Sequence, residues 1–234
     1  MATKVKATPR EAVADIWDGA TIMIGGFNRG QGIPYNLIDA LIQKGVGNLT
    51  VIANNYNCVN DLVREKRVRK AIVSMETRAT YDPRFSALKD AHLKGEVELE
   101  IVPQGIMCHR IQAWGAGIAG FYTRVGVGTA IAQFKEVRTF DGEEYILERC
   151  LGADFALIKA HMGDTFGNLI YYKAARNINP TMAQGAAIVI AEVDKIVETG
   201  ELDPNTIVTS GIFVKRIVEI RTKTVTFEIR ERKL

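Results

Sequence analysis

The apolar positions in the first half of the chain follow two alternating periods. Ile22 to Gly25, Leu49 to Ala53 and Ala71 to Ser74 are continuous apolar runs of strand length. Between them the pattern turns helical. Pro34 opens a segment with Leu37, Ile38, Leu41 and Ile42 on one side, stopped at Gly45, and a mixed helical segment covers Val59 to Arg64. Arg84 to Leu93 predicts a helix closed at Gly95. The stretch "EVELEIV" then alternates strictly, with Val97, Leu99 and Ile101 inward and Glu96, Glu98 and Glu100 outward. At the N-terminus Thr8, Pro9 and Glu11 fit the N-cap, N1 and N3 positions of a helix that carries Ala12, Val13, Ile16 and Trp17 on one face and ends at Gly19. Strand–helix alternation of this kind predicts an α/β fold, an open, largely parallel sheet with flanking helices.

The second half reads differently. Gly105 to Gly128 is rich in glycine and aromatic residues, and "VRTFDGEEYILE" has the form of a hairpin turning at Asp141-Gly142. Ala153 to Ala160 and Ala186 to Val193 are the clearest buried strands. No repeat, low-complexity tract or linker interrupts the chain, so residues 1–234 are read as one compact domain.

Composition narrows the function. Apolar content of 47% and charged content of 24% over 234 residues suit a soluble protein with a sizeable core. The net charge of +3 is too slight to imply a nucleic-acid partner. Two basic clusters, Arg64 to Lys70 and Arg221 to Lys233, read first as solvated faces and second as a polyanion site. Cys58, Cys108 and Cys150 form an odd, sparse set that suits a reducing compartment. His92, His109 and His161 have no metal-ligand spacing, so no metal is expected. No apolar run approaches membrane-spanning length, and the N-terminus reads as a capped helix and not as a signal peptide. These features indicate a cytoplasmic protein with no membrane partner.

Familiar catalytic motifs are missing or lack their context. "GAGIAG", Gly115 to Gly120, matches the dinucleotide fingerprint by letter, but a poor strand precedes it and a poor helix follows. There is no P-loop and no nucleophile elbow. What remains is a set of polar loops directly after strands. Gly25, Gly26 and Phe27 end one, Asn54 and Asn55 another, and Gln104 follows a third in a Pro-x-Gly turn. Carboxyl ends of parallel strands line the ligand crevice of open α/β sheets. These loops offer backbone N–H groups without side chains in the way, together with neutral amides. Such groups can hold a carboxylate or a developing oxyanion without burying a charge. Each loop alone also reads as an ordinary turn.

These segments, in this order, resemble the α subunit of family I CoA-transferases. The family signature is similar to "DGATIMIGGFNRGQGIP", Asp18 to Pro34, including Gly25, Gly26, Phe27, Gly32 and Pro34. The likeness continues through "ANN", "GEVELEIVPQG", "GAGIAGFYTRVGVGT", "ADFALIKA", "GNLIY", "ARNINPTMA" and "GIFVKRIV", nearly the whole chain. The loop from Asn28 to Gln31 is one residue longer than in the signature, and Met75 to Phe85 departs from familiar members. The resemblance implies coenzyme A as a substrate, no permanently bound cofactor, and a glutamate nucleophile that forms a glutamyl-CoA thioester on a β subunit. No glutamate here follows a serine, and Glu76, although placed after a strand, matches no nucleophile motif. Resemblance therefore implies half an enzyme in a hetero-oligomer. Asn54, Asn55 and Gln104 would stand around the acyl carboxylate and oxyanion, and the paired glycines would let substrate or the partner's catalytic loop rest against the strand end. A dicarboxylate substrate would want a cation, for which Arg29 and Arg78 are candidates against an ordinary surface role. The alternatives are a nucleotide- or sugar-phosphate-binding module and a silent scaffold subunit. The tail from Lys223 to Leu234 alternates like a strand.

Overall fold

The computed structural model describes residues 3–27, 32–54, 56–74 and 87–220. Its centre is a sheet that is nine-stranded among the described residues. The strands are β1 (Val5–Lys6), β2 (Thr21–Ile24), β3 (Leu49–Ala53), β4 (Val68–Val73), β5 (Glu98–Ile101), β9 (Ala153–Asp164), β10 (Leu169–Ile170), β11 (Ala186–Val197) and β12 (Val214–Glu219). Their order is β1-β12-β11-β9-β2-β3-β4-β5, every neighbouring pair parallel; β10 pairs antiparallel with β9. Between β5 and β9 the chain builds a separate antiparallel sheet, β6 (Gly120–Thr123), β8 (Glu143–Arg149) and β7 (Val137–Phe140), in that spatial order. The hairpin turns at Asp141 and Gly142, both at positive φ (50° and 81°), as expected for this dipeptide.

Both faces of the large sheet are covered, which is why its strands are apolar without alternation. One face carries Ile22, Ile24, Val51, Ala53, Phe155 and Leu157 against α1 (Pro9–Ala12), α2 (Tyr35–Lys44), α3 (Asn60–Arg64) and α4 (Ala87–Leu93). The other carries Met23, Ile52, Ile72, Ala156 and Ile158 against α5 (Gln104–Gly115) and α6 (Asn179–Gln184). Each fully buried Ile, Leu or Phe here contributes about 1.5–3 kcal/mol of transfer free energy. Among the described residues no helix is long and apolar enough to cross a membrane.

Three readings need correction. Thr8 does cap α1, accepting the Glu11 N–H at 3.2 Å, but the helix stops at Ala12, and Trp17 is half exposed. Gln104 lies in a helix and not in a Pro-x-Gly turn. Pro103 stands at the N-cap of α5, which runs into the glycine-rich and aromatic stretch as far as Gly115. Ile101 is 43% exposed because, among the described residues, β5 is the edge of the sheet. Glu100, conversely, is partly enclosed. Burial alone would raise its carboxyl, but Lys70 (3.0 Å) and Arg110 (3.0 Å) hold it below the usual range. Within the basic run from Arg64 to Lys70, Arg64 pairs with Asp61 and Lys70 with Glu98 and Glu100, while Arg67 donates to the Gly45 carbonyl and Arg69 to the Thr50 hydroxyl. The C-terminal basic cluster and the strand-like tail lie outside the described residues, as do Arg29, Glu76 and Arg78.

Candidate active site

Strand order reverses between β2 and β9. From β2 the chain steps to β3, β4 and β5 on one side; from β9 it steps to β11 and β12 on the other. A crevice opens at such a switch point, outside the carboxyl ends of the strands. The segments singled out in the sequence lie along that carboxyl edge, from the switch point at β2 to the edge strand β5. Gly25 and Gly26 end β2, Asn54 ends β3, and Gln104 follows β5, while Gly32 and Pro34 lead into α2. Strands β3 and β5 stand two places apart, about 10 Å at ordinary strand spacing.

The glycines are explained by the chain itself. Gly25 extends the ladder by one bond, donating to the Leu157 carbonyl at 2.9 Å. A Cβ on Gly25 would stand 1.8 Å from Asn179 Oδ1, and one on Gly26 would stand 2.3 Å from Ile33 Cγ1. Gly26 (φ +125°) and Gly32 (φ +66°) also need backbone conformations that L residues rarely adopt. A Cβ on Gly32 would meet the Ala175 carbonyl at 2.3 Å. The space expected to admit substrate or a partner's loop at Gly25 and Gly26 is thus occupied from within. The neighbouring Asp18-Gly19 pair is structural too: Asp18 Oδ1 accepts the Gly47 N–H at 2.6 Å, and Gly19 donates to the Gly47 carbonyl at 2.9 Å. Beneath the loop, the buried Cys58 thiol donates to the Gly25 carbonyl at 3.6 Å. Phe27 is partly buried.

Pro34 opens α2 as expected, and Gly45 closes it in the left-handed conformation, donating to the Leu41 and Ile42 carbonyls. Nothing in the helix caps its own N-terminus. A carboxylate from β11 does so: Glu192, buried, accepts the Asn36 N–H at 3.0 Å, the Leu37 N–H at 3.3 Å and the Asn36 side-chain amide at 3.0 Å. An anion at these first free N–H groups is the favoured charge. Lys159 lies 3.5 Å from Glu192 and 2.6 Å from Asp194, which also pairs with His161 at 3.1 Å. Sequence reasoning missed Glu192 and Asn179. For Glu192 the available signal was a carboxylate within an otherwise apolar strand, "AIVIAEV".

Asn54 is fully buried, and its surroundings are unusual. Ser74, at the end of β4, donates its backbone N–H to the Asn54 carbonyl at 3.2 Å, and its hydroxyl lies 2.7 Å from Asn54 Oδ1. Among the described residues the amide nitrogen of Asn54 has no partner. Leaving a buried donor unsatisfied costs about 1–3 kcal/mol, so such a group calls for an explanation. Two other buried side-chain nitrogens among the described residues share this state, Asn60 Nδ2 and Arg67 Nε. Asn60 nevertheless has a structural duty, accepting the Leu88 N–H at 3.2 Å, and Arg67 bonds the Gly45 carbonyl at 2.9 Å through Nη1. Gln104 is exposed at the first turn of α5, whose N-terminus has no side-chain cap and no acidic residue. Asn55 lies outside the described residues. The "GAGIAG" segment follows no strand: Gly115 closes α5 and Gly120 begins β6. Among the described residues no group of three or more His, Cys, Asp or Glu side chains could hold a metal ion.

The comparisons with known proteins agree with this geometry. A family model described as Coenzyme A transferase matches residues 6–220. The 3-oxoadipate CoA-transferase of Pseudomonas putida contains one subunit that is 46% identical to this chain over 227 residues, 94% of this chain and 95% of the relative. One subunit of the probable succinyl-CoA:3-ketoacid coenzyme A transferase of Bacillus subtilis (strain 168) is 46% identical over 220 residues, 92% and 89% of the two chains. Among solved structures, an acyl-CoA transferase from E. coli O157:H7, a thioester complex with CoA, superposes with a TM-score of 0.81 at 23% identity. The match covers 93% of this chain and 50% of that one. Glutaconate coenzyme A-transferase from Acidaminococcus fermentans gives a TM-score of 0.80 at 17% identity, covering 92% and 75%. At those identities the two structures speak for the fold alone. The chain belongs to the Coenzyme A transferase family, as an α subunit of the family I kind. A phosphate-binding sensor module is not favoured.

Proposed function

We propose that this chain forms one wall of a shared active site, built with a second chain, that moves CoA from an acyl-CoA donor to a short-chain carboxylate or 3-oxoacid. Residues 1–234 act as one α-subunit domain, in the cytoplasm, paired with a β subunit that carries the nucleophilic glutamate. That carboxylate adds to the thioester carbonyl and the C–S bond breaks, giving an acyl-glutamyl anhydride and CoA thiolate. The thiolate then adds to the glutamyl carbonyl, releases the donor acid as its carboxylate, and leaves a glutamyl-CoA thioester. The acceptor acid collects CoA by the same steps reversed. The thioester's free energy is conserved throughout by covalent catalysis.

Each addition passes through an oxyanion, and donors placed in advance are the main source of its stabilisation. The observation that carries this reading is the unpartnered amide nitrogen of buried Asn54 at the carboxyl edge of the sheet. A donor held away from water acts at low effective dielectric, where its pull on an oxyanion is strongest. Gln104 adds a second amide on the same edge, and Asn55 is the third proposed contact to the acyl carboxylate. Gly25, Gly26, Phe27, Gly32 and Pro34 form the loop beside them. Substrates named for the relatives, 3-oxoadipate and 3-ketoacids with succinyl-CoA, favour a 3-oxoacid acceptor. The test is a CoA-transfer assay on the chain alone and then with the product of its neighbouring reading frame. It would offer succinyl-CoA and acetyl-CoA against acetoacetate, 3-oxoadipate and acetate. Transfer only in the mixture supports the reading. Full transfer by the chain alone, or none from a well-folded complex, overturns it.

A further inference from the structure

We propose that Asn179 is the positioning residue of the glycine loop, and that Gly25 is a glycine because of Asn179 and not because of a bound molecule. The proposal rests on reading that loop as part of the CoA-transfer site. Asn179 is wholly buried at the start of α6, in the crossover that follows β9. Its Oδ1 accepts the Lys159 N–H at 3.1 Å, while Nδ2 donates to the Gly32 carbonyl at 3.1 Å and the Ala175 carbonyl at 3.2 Å. Only one orientation of the amide serves all three, because the reverse would set its oxygen against two carbonyls. A single side chain therefore ties the middle of β9 to the loop between β2 and α2, across the switch point.

Gly25 lies under this clamp. An added Cβ would meet Asn179 Oδ1 at 1.8 Å and Cγ at 2.8 Å; the next atom, Ile158 Cα, is at an ordinary 3.4 Å. The backbone of Gly25 is outside the left-handed region, unlike Gly26 and Gly32. Asn179 is thus the one obstacle to a side chain at this position among the described residues. Changing the fit between them shifts the loop, and a misplacement near 1 Å at a reacting centre lowers turnover by about 100-fold.

The test compares Gly25→Ala, Asn179→Ala and the double variant in the α–β complex, with kcat, both KM values and Tm recorded for each. Gly25→Ala is expected to lower kcat by about 100-fold. The double variant is expected to match Asn179→Ala within about twofold, because the obstacle has gone. A double variant as poor as the product of the two single losses would assign Gly25 to a ligand or partner and overturn the proposal. Asn179→Asp keeps the acceptor for Lys159 and, when ionised, loses both donors. It is expected to speed amide hydrogen exchange at Gly26 and Ile33 and lower kcat, with KM for acyl-CoA unchanged. Unchanged exchange and kcat would also overturn it. Exchange is read without turnover, so a complex that transfers no CoA would refute the proposed activity while still judging the clamp.

Discussion

The two halves of the carboxyl edge differ in how their polar groups are used. On the β9–β11 side, Asn179, Lys159, Glu192, Asp194 and His161 all have partners inside the chain. On the β3–β5 side, Asn54 Nδ2 is buried without a partner, Gln104 is exposed, and α5 begins with no side-chain cap. Both halves spend buried polar groups, but only one spends them on itself. In the proposed site the satisfied half fixes a frame, and the unsatisfied half presents donors from it. A group left unpaired where its neighbours are saturated is therefore a better pointer to the site than polarity alone.

Four substitutions would break or sharpen this contrast. Asn54→Ala should have the largest effect on turnover, a loss of about 100- to 1000-fold in the complex, as for removal of one oxyanion donor. Its Tm should hold or rise, because an unsatisfied donor is removed. Steady-state kinetics with differential scanning fluorimetry read both. Glu192→Ala should do the reverse. It strips the N–H groups of α2 of a charged acceptor, and urea unfolding should show a loss of about 2–4 kcal/mol. Turnover per folded complex should fall less than for Asn54→Ala. Equal losses of turnover in the two variants would dissolve the distinction between frame and site.

Ser74→Ala should have a smaller effect. Without the hydroxyl beside Oδ1, the Asn54 amide loses its preferred facing, and kcat should fall by about tenfold, with recovery in Ser74→Thr. Asp15→Asn should have the smallest. Asp15 is held by Arg216 of β12 through two 2.5 Å bonds, and this hydrogen bonding keeps its carboxyl below the usual range. A depressed carboxyl contributes stability above its unfolded value of about 3.9, and that contribution is lost as pH falls through the folded value. The Tm difference between wild type and variant should therefore be constant near neutrality and vanish in acid. A difference that grew on acidification would refute the assignment.

Much of the frame was legible because local pattern determines it. Leu49 to Ala53 is a strand as read, the strand cores from Ala153 and Ala186 were placed correctly, and α2 starts and stops at its expected Pro34 and Gly45. Helix α5 was missed because Arg110 falls within the arc of its buried residues, Ile106, Met107, Ile111 and Ala113, and because glycines stand at both ends. Helix α1 was read too long because Ile16 remains buried after the helix has ended. The shared edge of the loops after β2, β3 and β5 was legible from strand direction alone. The reason for its glycines was not. Asn179 meets Gly32 across 147 positions of sequence, and Glu192 meets Asn36 across 156, distances at which no local pattern carries information.

Those separations bear on how the chain matures during synthesis. Strands β2 to β5 and every signature glycine leave the ribosome before either Asn179 or Glu192 exists as peptide. Contacts this distant in sequence close late, after loop entropy has been overcome. A nascent chain halted before β11 would hold the whole glycine signature from Asp18 to Pro34, but not the Glu192 carboxylate that caps the helix behind it. The proposed wall of the active site is specified early in the message and completed near its end.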